Sequence, residues 1–129
     1  MSKHILVAED DLASSVLLTE LLTRWGYEVT VAPNGREALD LLASRPADLL
    51  LLDLQMPVLD GFATLAEVRG NSALAHLPAI ALTAFAMRED RDRILAAGFD
   101  GYLTKPLRFK ELEQALTEAL AKPRGGAAG

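Results

Sequence analysis

The chain has 129 residues, a formal net charge of −5 and no cysteine. Its length suits one domain with a real core. The missing thiols exclude disulfides and a thiolate zinc site and fit a reducing cytoplasm, and an acidic balance without any basic block argues against a chain built to bind the phosphate backbone of nucleic acid.

In chain order, the opening MSKHILVAEDD is too short and too acidic for a signal peptide or a membrane span. Ile5 to Ala8 reads as a first strand. A helix then carries Leu17, Leu18, Leu21, Leu22 and Trp25 on one stripe, with Gly26 as a left-handed cap. Val29 to Val31 forms a second strand. The second helix starts after Asn34, a favourable N-cap, turns Ala38, Leu39 and Leu42 inward and stops at Pro46. Leu49 to Leu52 is a third strand, followed by a short helix marked by Phe62, Leu65, Ala66 and Val68. Ala79 to Leu82 is a fourth strand, and the helix after it, from about Arg88 to Ala97, ends at Gly98. Tyr102 and Leu103 are a weaker fifth strand, before a helix from about Phe109 that repeats Leu112, Ala115, Leu116, Ala119 and Leu120.

The strand runs are continuous rather than alternating, as in strands covered on both faces. Strands alternating with helices predict an α/β chain: a (βα)5 flavodoxin-like, doubly wound parallel sheet with strand order 2-1-3-4-5 and right-handed crossovers. Residues 1–121 are expected to form this domain. Residues 122–129, small and Gly-rich, are expected to be a flexible tail.

In such a sheet ligands sit beyond the carboxyl ends of the strands. Those ends carry Glu9 and Asp10, Asp53, Thr83, and Lys105 followed by Pro106. Glu9, Asp10 and Asp53 would crowd negative charge into a small space, which calls for a compensating cation. Carboxylates with waters and a backbone carbonyl make a magnesium-like site, and the lack of a nearby His or Cys disfavours zinc. Lys105 can bring an ammonium and Thr83 a hydroxyl to Asp53. A metal, an ammonium and a hydroxyl around one carboxylate can neutralise a phosphoryl group in transfer, which makes Asp53 a nucleophile.

The four segments ILVAEDD, LLLLDLQMPVLDG, ALTA and YLTKP together resemble the motif set of response-regulator receiver domains of two-component signalling, the CheY-like family, over residues 4–121. The resemblance implies that Asp53 is the phosphoacceptor and that Asp10, Asp53 and the Gln55 main-chain carbonyl hold Mg2+ directly, with Glu9 acting through water. It implies that Thr83 is the switch hydroxyl, Lys105 the phosphate-reading lysine and Tyr102 the aromatic switch. It also implies a cis Lys105-Pro106 bond. LAHLPAIALTAFAM is similar to single-domain DivK-type regulators and to receivers of hybrid kinases. The implied partners are a histidine kinase or histidine phosphotransfer protein and a downstream protein. That protein would meet the face of the fourth helix, fifth strand and fifth helix, where Ala86, Met87, Ile94, Tyr102 and Phe109 are expected; neither nucleic acid nor membrane is expected as a partner. Phe85, two residues past Thr83, is expected to hinder the water that hydrolyses the acyl phosphate.

The reading is a phosphoacceptor rather than an enzyme. A receiver cut from a hybrid kinase is the nearest alternative. A magnesium-dependent aspartyl phosphatase of the haloacid dehalogenase kind would want an acid where Gln55 stands, and a flavodoxin-like flavin protein would want a phosphate loop where Glu9, Asp10 and Asp11 repel one. His4 and His76 lack partners at metal-ligand spacing and receive no role.

Overall fold

The computed structural model describes residues 2–84 and 87–121. Ten elements alternate: β1 His4–Ala8, α1 Leu12–Arg24, β2 Glu28–Ala32, α2 Gly35–Ser44, β3 Leu49–Asp53, α3 Gly61–Gly70, β4 Ala79–Thr83, α4 Arg88–Ala96, β5 Gly101–Thr104 and α5 Phe109–Ala121. All strand pairs are parallel, in the order β2-β1-β3-β4-β5. The expected fold is thus the observed one.

The continuous apolar runs divide between the two faces of the sheet, as period-two alternation requires. Leu6, Ala8, Leu50, Leu52, Ala79 and Ala81 point to the side covered by α2, α3 and α4. Ile5, Val7, Leu49, Leu51, Ile80 and Leu82 point to the side covered by α1 and α5. Each fully buried Leu or Ile stabilises by about 1.5–3 kcal/mol, so β1 and β3 anchor both layers.

Local chemistry sets the helix boundaries. Asp11, Asn34 and Asp60 accept the backbone amides of Ser14, Glu37 and Ala63 at the starts of α1, α2 and α3. Gly26 and Gly98, at φ 95° and 106°, turn the chain after α1 and α4, a conformation costly to residues with a Cβ.

Four details depart from the sequence expectation. Leu17 is 40% exposed, and the small Ser15 takes the inward place in α1, its hydroxyl returned to the Leu12 carbonyl. In α3 the inward place goes to Thr64 instead of Ala66, because Thr64 packs against Gly35 of α2. Ile94, expected on a partner face, is fully buried and is the residue that anchors α4. His4 lies inside β1 rather than before it; its ring is buried and bonded to the Pro46 carbonyl and Thr30 Oγ1, both at 2.7 Å. That is a structural role.

At the edge of the sheet opposite the strand carboxyl ends, Arg69 ties three segments together. It donates to the carbonyls of Gly98, Ala75 and Leu77 and pairs with Asp100 at 3.2 Å. No described helix is long and apolar enough to cross a membrane.

Candidate phosphoacceptor site

Three strands deliver their last residues to one rim. Glu9 follows β1, Asp53 ends β3 and Thr83 ends β4, and all three are buried, whereas Asp10 is exposed at the mouth. Carboxylate oxygens of Glu9, Asp10 and Asp53 lie within 4.8 Å of one another. Lys105, directly after β5, reaches into the cluster: its Nζ is 2.8 Å from Asp53 Oδ2 and 2.9 Å from Glu9 Oε2. The sequence-chosen residues Glu9, Asp10, Asp53 and Lys105 are therefore neighbours.

Each acid is held differently. Asp53 Oδ1 accepts the Gln55 amide at 3.0 Å, which fixes the carboxylate plane and leaves Oδ2 to the ammonium. Glu9 Oε1 accepts the Asp11 amide at 3.1 Å. Glu9 Oε2 is a buried oxygen that meets the Lys105 ammonium at 2.9 Å. Burial and the adjoining Asp53 carboxylate push the Glu9 pKa up to about 7, and Lys105 and the Asp11 amide only partly oppose them. For Lys105, burial works to lower the pKa, but its bonds to Asp53 and Glu9 prevail and raise it. Asp11 stays outside the cluster as the α1 cap, its pKa lowered by the Ser14 hydroxyl and amide.

The donor set suits magnesium. It consists of hard carboxylates, two of them buried, beside the exposed Gln55, and it contains neither thiolate nor imidazole.

Thr83 pairs with Thr104 across β4 and β5, and its carbonyl accepts the Lys105 amide at 2.8 Å, so hydroxyl and ammonium belong to one strand junction. Lys105-Pro106 is cis. Tyr102 is half-buried against the α2–α4 layer, opposite Ala81. Phe85 and Ala86 lie outside the described residues, as does the 122–129 segment. Around α4 and α5, Met87, Leu95 and Phe109 are more than half exposed.

The sequence reading missed Gly61. A Cβ there would sit 2.5 Å from the Asp53 carbonyl and 3.0 Å from Leu54 Cα, so the glycine lets α3 begin directly against the backbone of Asp53. An Asp before an apolar stripe is a helix-start signal that could have drawn attention to the Asp60-Gly61 pair. The closeness of the glycine to Asp53 carries no such signal.

Comparison with known proteins bears on this geometry. Residues 5–117 match the model of the response regulator receiver domain. The polar-differentiation response regulator DivK of Brucella anthropi is 37% identical over 107 residues, covering 83% of this chain and 87% of that protein. Hybrid signal transduction histidine kinase I of Dictyostelium discoideum is 39% identical over 128 residues, where this chain spans 93% of its own length and only 7% of the kinase. The crystal structure of the receiver domain of a Pseudomonas aeruginosa sensor histidine kinase, with magnesium coordinated in its active-site cleft, superposes with a TM-score of 0.87 at 33% identity, covering 95% of this chain and all of that one.

Proposed function

The chain belongs to the response-regulator receiver family of two-component systems, and from that premise we propose that Asp53 is its phosphoacceptor, supplied by a histidine kinase or a histidine phosphotransfer protein. The single observation that carries the reading is the meeting of Glu9, Asp10 and Asp53 within 4.8 Å, with Lys105 Nζ 2.8 Å from Asp53. An Asp53 oxygen attacks phosphorus, the bond from phosphorus to the donor nitrogen breaks, and the imidazole leaves with the electron pair. The Gln55 amide holds the attacking carboxylate in plane. Lys105 then transfers its charge from the carboxylate to the phosphoryl oxygens, and Thr83 donates its hydroxyl to another.

Asp10, Asp53 and the Gln55 carbonyl would hold Mg2+ directly and Glu9 through water, and the ion would supply positive charge to the transferring group. Glu9, pushed toward the protonated form, and Lys105, already paired with two carboxylates, are the groups whose charge must be rearranged for that occupancy. In switching, Thr83 moves toward the phosphoryl group and Tyr102 turns inward. The exposed Met87, Leu95 and Phe109 form the surface that changes for a downstream protein; flexible and aromatic side chains suit such re-packing. The protein acts by binding a partner and turns over no substrate of its own.

Acetyl phosphate tests the assignment. With magnesium the wild type should gain one phosphoryl mass and Asp53→Ala none. Catalytic turnover of added phosphate esters would instead favour a phosphatase.

A further inference from the structure

The end of β2 and the start of α2 hold the backbone on two sides of the acidic cluster, although they supply no acid to it. The Ala32 carbonyl accepts the Glu9 amide at 3.0 Å, and three residues on the Gly35 amide donates to the Leu59 carbonyl at 3.0 Å. Leu59 belongs to the loop between β3 and α3 that carries Gln55. That loop is bent sharply: Leu59 N bonds back to the Pro57 carbonyl at 2.7 Å, with Val58 between them at φ 70°. Such a turn is strained for a β-branched residue and persists only when its surroundings hold it.

Gly35 is what allows the hold. Its φ is not in the left-handed region, so the glycine is not explained by backbone conformation. Space explains it. A Cβ on Gly35 would overlap Thr64 Oγ1 and stand 2.6 Å from the Leu59 carbonyl. Neither neighbour can yield easily, since Thr64 is fully buried and its hydroxyl is fixed on the Asp60 carbonyl at 2.6 Å. Asp60 in turn caps α3 through Ala63. The contact therefore fixes the far end of the loop while Asp53 fixes its near end at the Gln55 amide.

We propose that Gly35 is a positioning residue for the divalent-cation site: by bonding the Leu59 carbonyl at a distance only glycine permits, it sets the loop that presents the Gln55 main-chain carbonyl. The inference rests on the receiver reading above and extends it to a residue of α2 that contacts neither cation nor phosphoryl group. Outer residues that orient ligands typically change metal affinity 10–100-fold when altered. Gly35→Ala is thus expected to weaken magnesium affinity about tenfold and to slow acetyl-phosphate labelling at low magnesium, with labelling recovered at high magnesium. Gly70→Ala, at a helical glycine with open space around its Cβ, is the control and should leave both unchanged.

A second readout needs no substitution. In the wild type the Gly35 backbone amide signal is expected to shift with the same magnesium midpoint as that of Gln55. Gly35→Ala with wild-type magnesium affinity, or a Gly35 amide unmoved at saturating magnesium, overturns the proposal. A wild type that neither binds magnesium nor labels would instead overturn the receiver reading itself.

Discussion

Glu9→Gln separates the electrostatic cost of the cluster from its function. In the folded metal-free protein the Glu9 pKa is about 7, against an ordinary value of 4.5, and burial is the chief cause. The folded state therefore binds more protons than the unfolded state between these values, so stability falls as pH rises through that window. Below pH 4.5 both states are protonated and nothing is lost; above pH 7 the loss is complete. A shift of this size corresponds to about 3 kcal/mol. Gln keeps the shape of the side chain without the charge. Urea unfolding with chelator, at half-unit steps from pH 4.5 to 8, should show Glu9→Gln near wild type at the acid end and more stable by about 3 kcal/mol at pH 8. Lys105 retains Asp53 as a partner in the variant, so the gain should persist. Added magnesium should stabilise the wild type more than the variant and narrow the gap. A wild-type and variant difference independent of pH would refute the reasoning.

Three further outcomes are expected. Val58→Asn should stabilise the fold by about 1 kcal/mol, read as a higher urea midpoint at unchanged slope, since Asn tolerates positive φ better than a β-branched residue and the residue is 77% exposed; a lower midpoint would show that the turn is not strained. Arg69→Met should cost about 3 kcal/mol by leaving backbone carbonyls and Asp100 without their charged donor. Because Arg69 lies at the opposite end of the sheet, magnesium affinity measured by calorimetry should not change. Phe85→Glu, two residues past Thr83 in sequence, should speed loss of the phosphoryl group in magnesium, followed as decay of the labelled mass; an unchanged rate discards the idea that the ring hinders water.

The three central strands were legible because β1, β3 and β4 are buried along their whole length and so carry unbroken apolar runs, whereas the edge strands β2 and β5 are partly exposed and leave a weaker trace; Ile5 with Val7, and Leu6 with Ala8, indeed serve opposite layers. The acids were legible because the chemistry of a parallel sheet gathers at strand ends, where Glu9, Asp10, Asp53 and Lys105 stand in sequence. What one-dimensional periodicity could not give was the rotation of each helix. Leu17 and Ser15 are both compatible with an inward stripe, and only the packing of α1 chooses between them. Thr64 is inward through Gly35, and Arg69 joins carbonyls up to 29 residues away. Such contacts depend on residues with no local signature. Glu9 and Lys105 were each legible at a strand end, but the ion pair between them, which joins the end of β1 to the end of β5, was not.

The most direct test of the central claim is the position of the phosphoryl group. Protein treated with acetyl phosphate and magnesium can be reduced with borohydride, which converts an aspartyl phosphate to homoserine, and then mapped by peptide mass. Homoserine in place of Asp53, and its absence when magnesium is chelated, is the expected result. Homoserine in place of Asp10 or Asp60, or labelling of Asp53 that is indifferent to magnesium, would contradict the account.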